Sequence, residues 1–118
     1  MIEKIAKLLE AIRNFNHERD WDQFHTPKNL STALMIEAAE LAEIFQWMTG
    51  DESNEPGDKK LQHAQDEIGD VVIYLLNLAD KLGVDPLEAA LKKLDRNAEK
   101  YPVEKARGTA AKYKDLSD

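Results

Sequence analysis

Two short acidic motifs, Glu37-x-x-Glu40 and Glu67-x-x-Asp70, occupy the two most apolar stretches of this chain, and any fold has to accommodate them. In a helix, residues three apart share a face. Glu37 stands within a stripe of Leu30, Leu34, Leu41 and Ile44, and Glu67 within one of Ala64, Val71, Tyr74 and Leu78. Carboxylates ordinarily occupy the solvent face of an amphipathic helix. These four fall on the faces that the apolar pattern would bury, where an unpaired charge is very costly. They would also repel one another if the two helices packed face to face. A bound divalent cation removes both problems. An all-oxygen ligand set suits Mg²⁺, with Mn²⁺ as the alternative, better than zinc or copper.

A single E-x-x-E in an acidic helical protein is most often a solvated face. Two of them, each centred on an apolar stripe in adjacent helices, are much harder to obtain by chance. Ferritin-like di-iron bundles also point carboxylates inward, but they use Glu-x-x-His motifs, and neither acidic motif here has one. His63 lies one turn before Glu67 and reads as a surface histidine at a helix start in preference to a ligand. Glu43, one turn beyond Glu40, could add a ligand or orient a water.

The length of 118 residues suits one domain with a single core. No apolar run is long enough to span a bilayer, and the charged N-terminal decapeptide lacks a signal-peptide core. Without cysteine there is no disulfide and no thiolate metal site, so a cytoplasmic location is expected by default. The net charge of −7 argues against a nucleic-acid polymer as partner, and no membrane is expected either. A nucleotide is still compatible, because metal ions and a few local cations can carry a triphosphate on an acidic protein.

Ile2, Ile5, Leu9 and Ile12 fall at helical spacing and predict a first helix from about residue 2 into 16–19. Residues 20–25, rich in aromatic groups, read as a loop. Thr26-Pro27 then supplies a cap and a first-turn proline for a second helix running to about Met48. Residues 51–60 contain Pro56 and Gly57 and read as a mobile loop. The third helix, roughly Leu61 to Leu82, is apolar almost all round from Ile68 to Leu78. It should therefore be the central, most enclosed helix, stopped by Gly83. Asp85-Pro86-Leu87-Glu88 opens a fourth, with Asp85 as cap and Glu88 reaching back, and Tyr101-Pro102 ends it. The expectation is an all-α, four-helix bundle-like domain over residues 1–102, with a polar C-terminal arm over 103–118. So few and so apolar helices leave surface exposed in one copy, so a homodimer, or a homotetramer built as a dimer of dimers, should complete the core.

Longer strings carry a family resemblance. They are Glu18-Arg19-Asp20-Trp21-Asp22-Gln23-Phe24-His25 with Pro27-Lys28-Asn29-Leu30; Glu40-Leu41-Ala42-Glu43-Ile44-Phe45-Gln46-Trp47; and Asp70-Val71-Val72-Ile73-Tyr74-Leu75. Lys93-x-x-x-Asn97, Tyr101-Pro102-Val103, Arg107-Gly108 and Lys112-Tyr113 continue the match into the tail. With the two acidic motifs, they make the chain similar to the all-α MazG-like nucleoside triphosphate pyrophosphohydrolases, and within that group to the dCTP-pyrophosphatase branch.

The resemblance implies Mg²⁺-dependent cleavage between the α and β phosphates of a nucleoside triphosphate, giving monophosphate and pyrophosphate. Surplus or non-standard deoxynucleotides, dCTP-like pyrimidines first, would be the substrates. It also implies that Glu37, Glu40, Glu67 and Asp70 hold the metal. Trp21, His25, Trp47 and Tyr74 would surround base and sugar, and Lys93 and Asn97 would approach from the last helix. One departure concerns the base: dCTP-preferring members carry a histidine in the first helix, nine residues before the loop tryptophan, where this chain has Ile12.

Helical spacing agrees with these roles. Glu40, Glu43 and Trp47 line up on one edge, and Tyr74 lies one turn past Asp70. Read alone, Trp21, Trp47 and Tyr74 are as compatible with core packing as with stacking on a base. Lys93 and Asn97 alone would be a solvated helix edge. Glu40 or Glu43 is the expected acceptor of the proton from the attacking water. The rival of a different class is a non-catalytic helical adaptor that keeps the carboxylates for a structural cation. A second rival is the same hydrolysis acting on dUTP or a modified base.

Overall fold

Capping residues set the helix boundaries in the computed structural model, which describes residues 2–116 except the side chain of Ile2. The place of Ile2 in the first apolar stripe and the end of the C-terminal arm, 117–118, lie outside the described residues. Helix α1 spans Ile2–Glu18. Beyond it Asp20 takes a positive φ of 54°, a conformation that Asp tolerates better than most residues, and the chain turns. A short 3-10 turn, Asp22–Phe24, follows. Thr26 then caps α2, Pro27–Phe45, its side chain accepting the Asn29 N–H, with Pro27 in the first turn.

α2 stops at Phe45, three residues short of the expected Met48, because the chain turns there and Thr49 starts a new cap. The expected mobile loop of 51–60 instead opens with the one-turn helix α3, Gly50–Ser53. Thr49 accepts the Glu52 N–H at 3.1 Å while Glu52 accepts the Thr49 N–H at 3.4 Å, a reciprocal capping box. Helix α4, Asp58–Leu82, ends at Gly83, whose φ of 67° suits a residue without Cβ. Helix α5, Pro86–Lys100, begins at Asp85, whose carboxylate accepts both the Leu87 and Glu88 N–H groups. Glu88 was expected to reach back to the cap but pairs forward with Lys92 at 3.1 Å. A last one-turn helix, α6, spans Val103–Ala106. No strand occurs among the described residues.

The chain gathers into two compact units, Met1–Gly83 and Val84–Asp118. In the first, α2 and α4 form the principal packed pair, and α1 packs on α4. Polar pairs mark the α1–α4 register. Arg13 donates from Nε to Asp80 Oδ2 at 2.9 Å and from Nη2 to Oδ1. That fork raises the guanidinium pKa and holds the Asp80 carboxyl below its ordinary value. Three residues further along α1, Asn16 Nδ2 donates to Asn77 Oδ1 at 2.9 Å, three residues back along α4. The two helices therefore run antiparallel. In the second unit the Tyr101 and Tyr113 rings meet edge to face at 6.2 Å, with Lys100 Nζ over Tyr113 at 4.9 Å.

α4 carries the buried residues Ala64, Glu67, Leu76, Asn77 and Ala79, more than any other helix, as its apolar run suggested. Its enclosure is nonetheless one-sided. Leu61, Ile68, Val72, Leu75 and Leu82 recur at heptad spacing and are all exposed in the single chain.

Candidate active site

Because α2 and α4 are antiparallel neighbours, their acidic motifs meet. One carboxylate oxygen from each of Glu37, Glu67 and Asp70 lies within 4.8 Å of the other two. Glu67 is 9% exposed, Glu37 and Glu40 are half-buried, and Asp70 is exposed at the rim. The helix pattern placed all four on buried faces. Asp70 departs from it and stands exposed.

The buried Oε2 atoms of Glu37 and Glu67 have no hydrogen-bond partner among the described residues. Ionised carboxylates are acceptors only, so neighbours of this kind satisfy one another only by sharing a proton or a cation. Glu37 shows the strain: its pKa is pushed up to about 7, first by burial, then by the adjacent Glu67 carboxyl and the charges of Glu40 and Asp70. Orphaned buried oxygens, hard donors and mutual proximity together fit a divalent cation. Glu37, Glu67 and Asp70 form the tight set, and Glu40 stands at its edge beside Glu37.

Next to the cluster is a cleft of about 650 Å³, lined among others by Glu40, Glu43, Trp47, Lys60, His63 and Glu67. That volume is on the scale of small-molecule sites, about 300–1,000 Å³. Trp47 stands in the turn after α2, 89% exposed. His63 is exposed as a surface histidine would be, yet its Nε2 lies 3.4 Å from Glu67 Oε1.

Trp21 and His25 belong to the loop after α1. The Trp21 ring meets Phe15 edge-on at 5.6 Å and His25 at 6.2 Å. The loop is tied down at both ends, by Trp21 N–H to the Asn16 carbonyl at 2.9 Å and by Asn29 Nδ2 to the Phe24 carbonyl at 2.8 Å. His25 Nδ1 is buried without a partner. The Trp21 N–H on the Asn16 carbonyl, with Asn16 paired to Asn77, places the root of this loop on the C-terminal side of Asp70 along α4. A single chain thus divides the expected aromatic set along α4. Trp21, His25 and half-buried Tyr74 lie to the C-terminal side of the carboxylates, and Trp47 lies to the N-terminal side with Lys60 and His63. Lys93 and Asn97 belong to α5 in the second unit, where Lys93 lines a cavity of about 380 Å³ with Lys92 and Arg96.

Residues 32–116 match the model of the MazG-like family. Among curated proteins, dCTP pyrophosphatase 1 of Mus musculus is 46% identical over 117 residues, covering 92% of this chain and 67% of the relative. The protein of that name from Homo sapiens is 46% identical over 114 residues, with the same coverages. Among solved structures, a pyrophosphatase from Archaeoglobus fulgidus has a TM-score of 0.80 at 43% identity, covering 84% of this chain and 93% of the other.

Sequence reasoning did not single out Lys60 or Gln46 as cleft residues, or Asn16 and Asn77 as a buried pair. The signal for Lys60 was present: Lys60, His63 and Glu67 recur at one-turn spacings on a single face of α4.

Glu37 supplies a pH test in the absence of metal. Its folded pKa of about 7 exceeds the ordinary 4.5, so the folded state holds the proton more tightly than the unfolded state. The resulting stability is fully present below pH 4.5 and is lost as pH rises through 7. In chelator, the thermal midpoint of the parent protein should fall across this window relative to Glu37→Gln, and Glu37→Gln should melt no lower than the parent at the alkaline end. Mn²⁺ affinity measured by calorimetry should rise over the same window, because proton and metal compete for these oxygens. Parallel pH profiles for parent and variant would show that Glu37 is not under this strain.

Proposed function

Since the chain belongs to the MazG-like family, we propose that it is a Mg²⁺-dependent nucleoside triphosphate pyrophosphohydrolase. It cleaves deoxynucleoside triphosphates, dCTP-like pyrimidines first, to the monophosphate and pyrophosphate. The observation that carries this reading is the pair of partnerless buried carboxylate oxygens beside a cleft of nucleotide scale. The names of the curated relatives support dCTP as first choice.

Glu37, Glu40, Glu67 and Asp70 would hold Mg²⁺, or Mn²⁺ in its place. A bound divalent cation supplies charge neutralisation at the phosphates and makes a nearby water more acidic. Glu40 and Glu43 face the cleft from successive turns of α2, and one of them takes the proton from a water aimed at the α-phosphorus. The new P–O bond forms in line with the one that breaks, and pyrophosphate leaves with the bridging oxygen. Trp21, His25 and Tyr74 take the base and sugar. Trp47 adds an aromatic face.

A second copy of the chain covers the exposed α4 stripe of Leu61, Ile68, Val72, Leu75 and Leu82 and approaches Trp47 as well. The adaptor alternative would keep the cation but has no need of a cleft beside it.

Two results are expected. With Mg²⁺ and dCTP, equal amounts of monophosphate and pyrophosphate should appear, and Glu40→Gln or Asp70→Asn should abolish turnover with the helical circular-dichroism spectrum intact. Stepwise release of orthophosphate, or metal binding without turnover in the parent, would contradict the assignment. In sedimentation, the parent should run as a dimer or tetramer and Ile68→Lys with Leu75→Lys as a smaller species. A monomeric parent would leave the α4 stripe without the proposed cover.

A further inference from the structure

The first unit buries one polar pair that the proposed chemistry does not use. Asn16 is 4% and Asn77 6% exposed, and their amides are joined by the 2.9 Å bond from Asn16 Nδ2 to Asn77 Oδ1. Each amide keeps a second polar atom. Neither Asn16 Oδ1 nor Asn77 Nδ2 has a partner among the described residues, and neither is sealed off as Glu37 Oε2, Glu67 Oε2 and His25 Nδ1 are. The pair therefore keeps one free acceptor and one free donor, each with a small residual solvent contact. If both amides turn over together, the bond between them survives and the free donor and acceptor exchange places.

Its position is informative. The carbonyl of Asn16 holds the Trp21 N–H at 2.9 Å, so the pair forms the root of the aromatic loop. On α4, Asp70, Tyr74 and Asn77 share one face, and seven residues of helix carry Asn77 about 10 Å beyond the carboxylate end. This is the side of the metal cluster on which Trp21 and Tyr74 stand.

Helix register does not require these amides. The Arg13–Asp80 fork sets it one turn away, and replacing both partners of a buried hydrogen bond with apolar groups of similar shape is nearly neutral. A free donor and a free acceptor on two hydrogen-bonded neighbours, at the root of the aromatic loop, match in kind the hydrogen-bonding edge of a nucleobase. Asparagine amides make bidentate contacts of the same chemistry with bases elsewhere.

Resting on the pyrophosphohydrolase reading above, we propose that the Asn16–Asn77 amide pair reads the hydrogen-bonding edge of the substrate's pyrimidine base. Cytosine presents a donor beside an acceptor, and uracil and thymine present the reverse order. A pair that can exchange its free donor and acceptor accepts both orders, and it rejects a base that offers neither.

The test compares thymidine triphosphate with a deoxynucleoside triphosphate carrying an apolar isostere of thymine, which stacks but cannot hydrogen-bond. The parent should favour the thymine substrate in kcat/KM by about 10- to 100-fold, the worth of two net hydrogen bonds. The double variant Asn16→Leu with Asn77→Leu should lose that preference while still releasing pyrophosphate from both. An equal preference in parent and variant would overturn the proposal and leave the pair as packing.

Should the double variant fail to fold, side-chain amide NMR of the parent with Mg²⁺ and α,β-imido-dCTP decides. Shifts of the Asn16 and Asn77 amide signals together with the Trp21 indole support it, and a Trp21 shift alone overturns it. No shift anywhere, or a parent that cleaves neither of these triphosphates nor dCTP, would count against the pyrophosphohydrolase reading itself. A parent that cleaves dCTP but neither of the two would overturn the base-reading proposal.

Discussion

The crowding of carboxylates between α2 and α4 is the interaction on which the rest of the first unit depends. Two unit charges about 4 Å apart repel by roughly 4 kcal/mol at the effective dielectric of a protein near its surface. A domain's whole stability is only about 5–15 kcal/mol. Glu37, Glu67 and Asp70 stand within 4.8 Å of one another, with Glu40 beside them. The helix pair cannot keep all of them ionised and unpaired without losing much of that margin. Without a cation, a proton on Glu37 provides relief. With one, the oxygens that lack any protein partner acquire it, and the same interface becomes a site with charge to offer a phosphate.

Everything around this interface fixes what can reach it. The reciprocal Thr49–Glu52 cap turns the chain after α2 and brings Glu52 into the wall of the cleft. The Arg13–Asp80 fork sets α1 against α4, and the Asn16 carbonyl ties down the Trp21 loop. The apolar core is thin: among the described residues Ile12, Leu30, Ala64, Leu76 and Ala79 are its buried members. A thin core and an exposed heptad stripe on α4 belong together, since a helix patterned for two-sided burial has found cover on one side only.

The helical architecture was legible because its punctuation is local. Thr26-Pro27, Gly83 and Asp85-Pro86 act within one turn of themselves, and the structure uses each as its chemistry suggests. The acidic site was legible because a carboxylate on an apolar stripe breaks the helical pattern. Asn16 and Asn77 break it in the same way, Asn16 following Ile12 and Asn77 following Tyr74 on their stripes, and the same test applied to amides would have found them. What was not legible depends on which elements meet. Residues 51–60 look like a loop until the Thr49–Glu52 reciprocity is counted. Lys60 joins the cleft only because α4 runs antiparallel to α2. The separation of Trp47 from Trp21 along α4 follows from the same register, which spacing within one helix does not encode.

The central claim is that the strain at the carboxylates is the signature of a cation site. Crystals grown with Mn²⁺ at about pH 8, where the metal no longer competes with a proton for Glu37, test it most directly through anomalous scattering. The account predicts a peak within coordination distance of oxygens from Glu37, Glu67 and Asp70. Absence of a peak there, with the Glu37 and Glu67 carboxyls still facing each other across a shared proton, would contradict it.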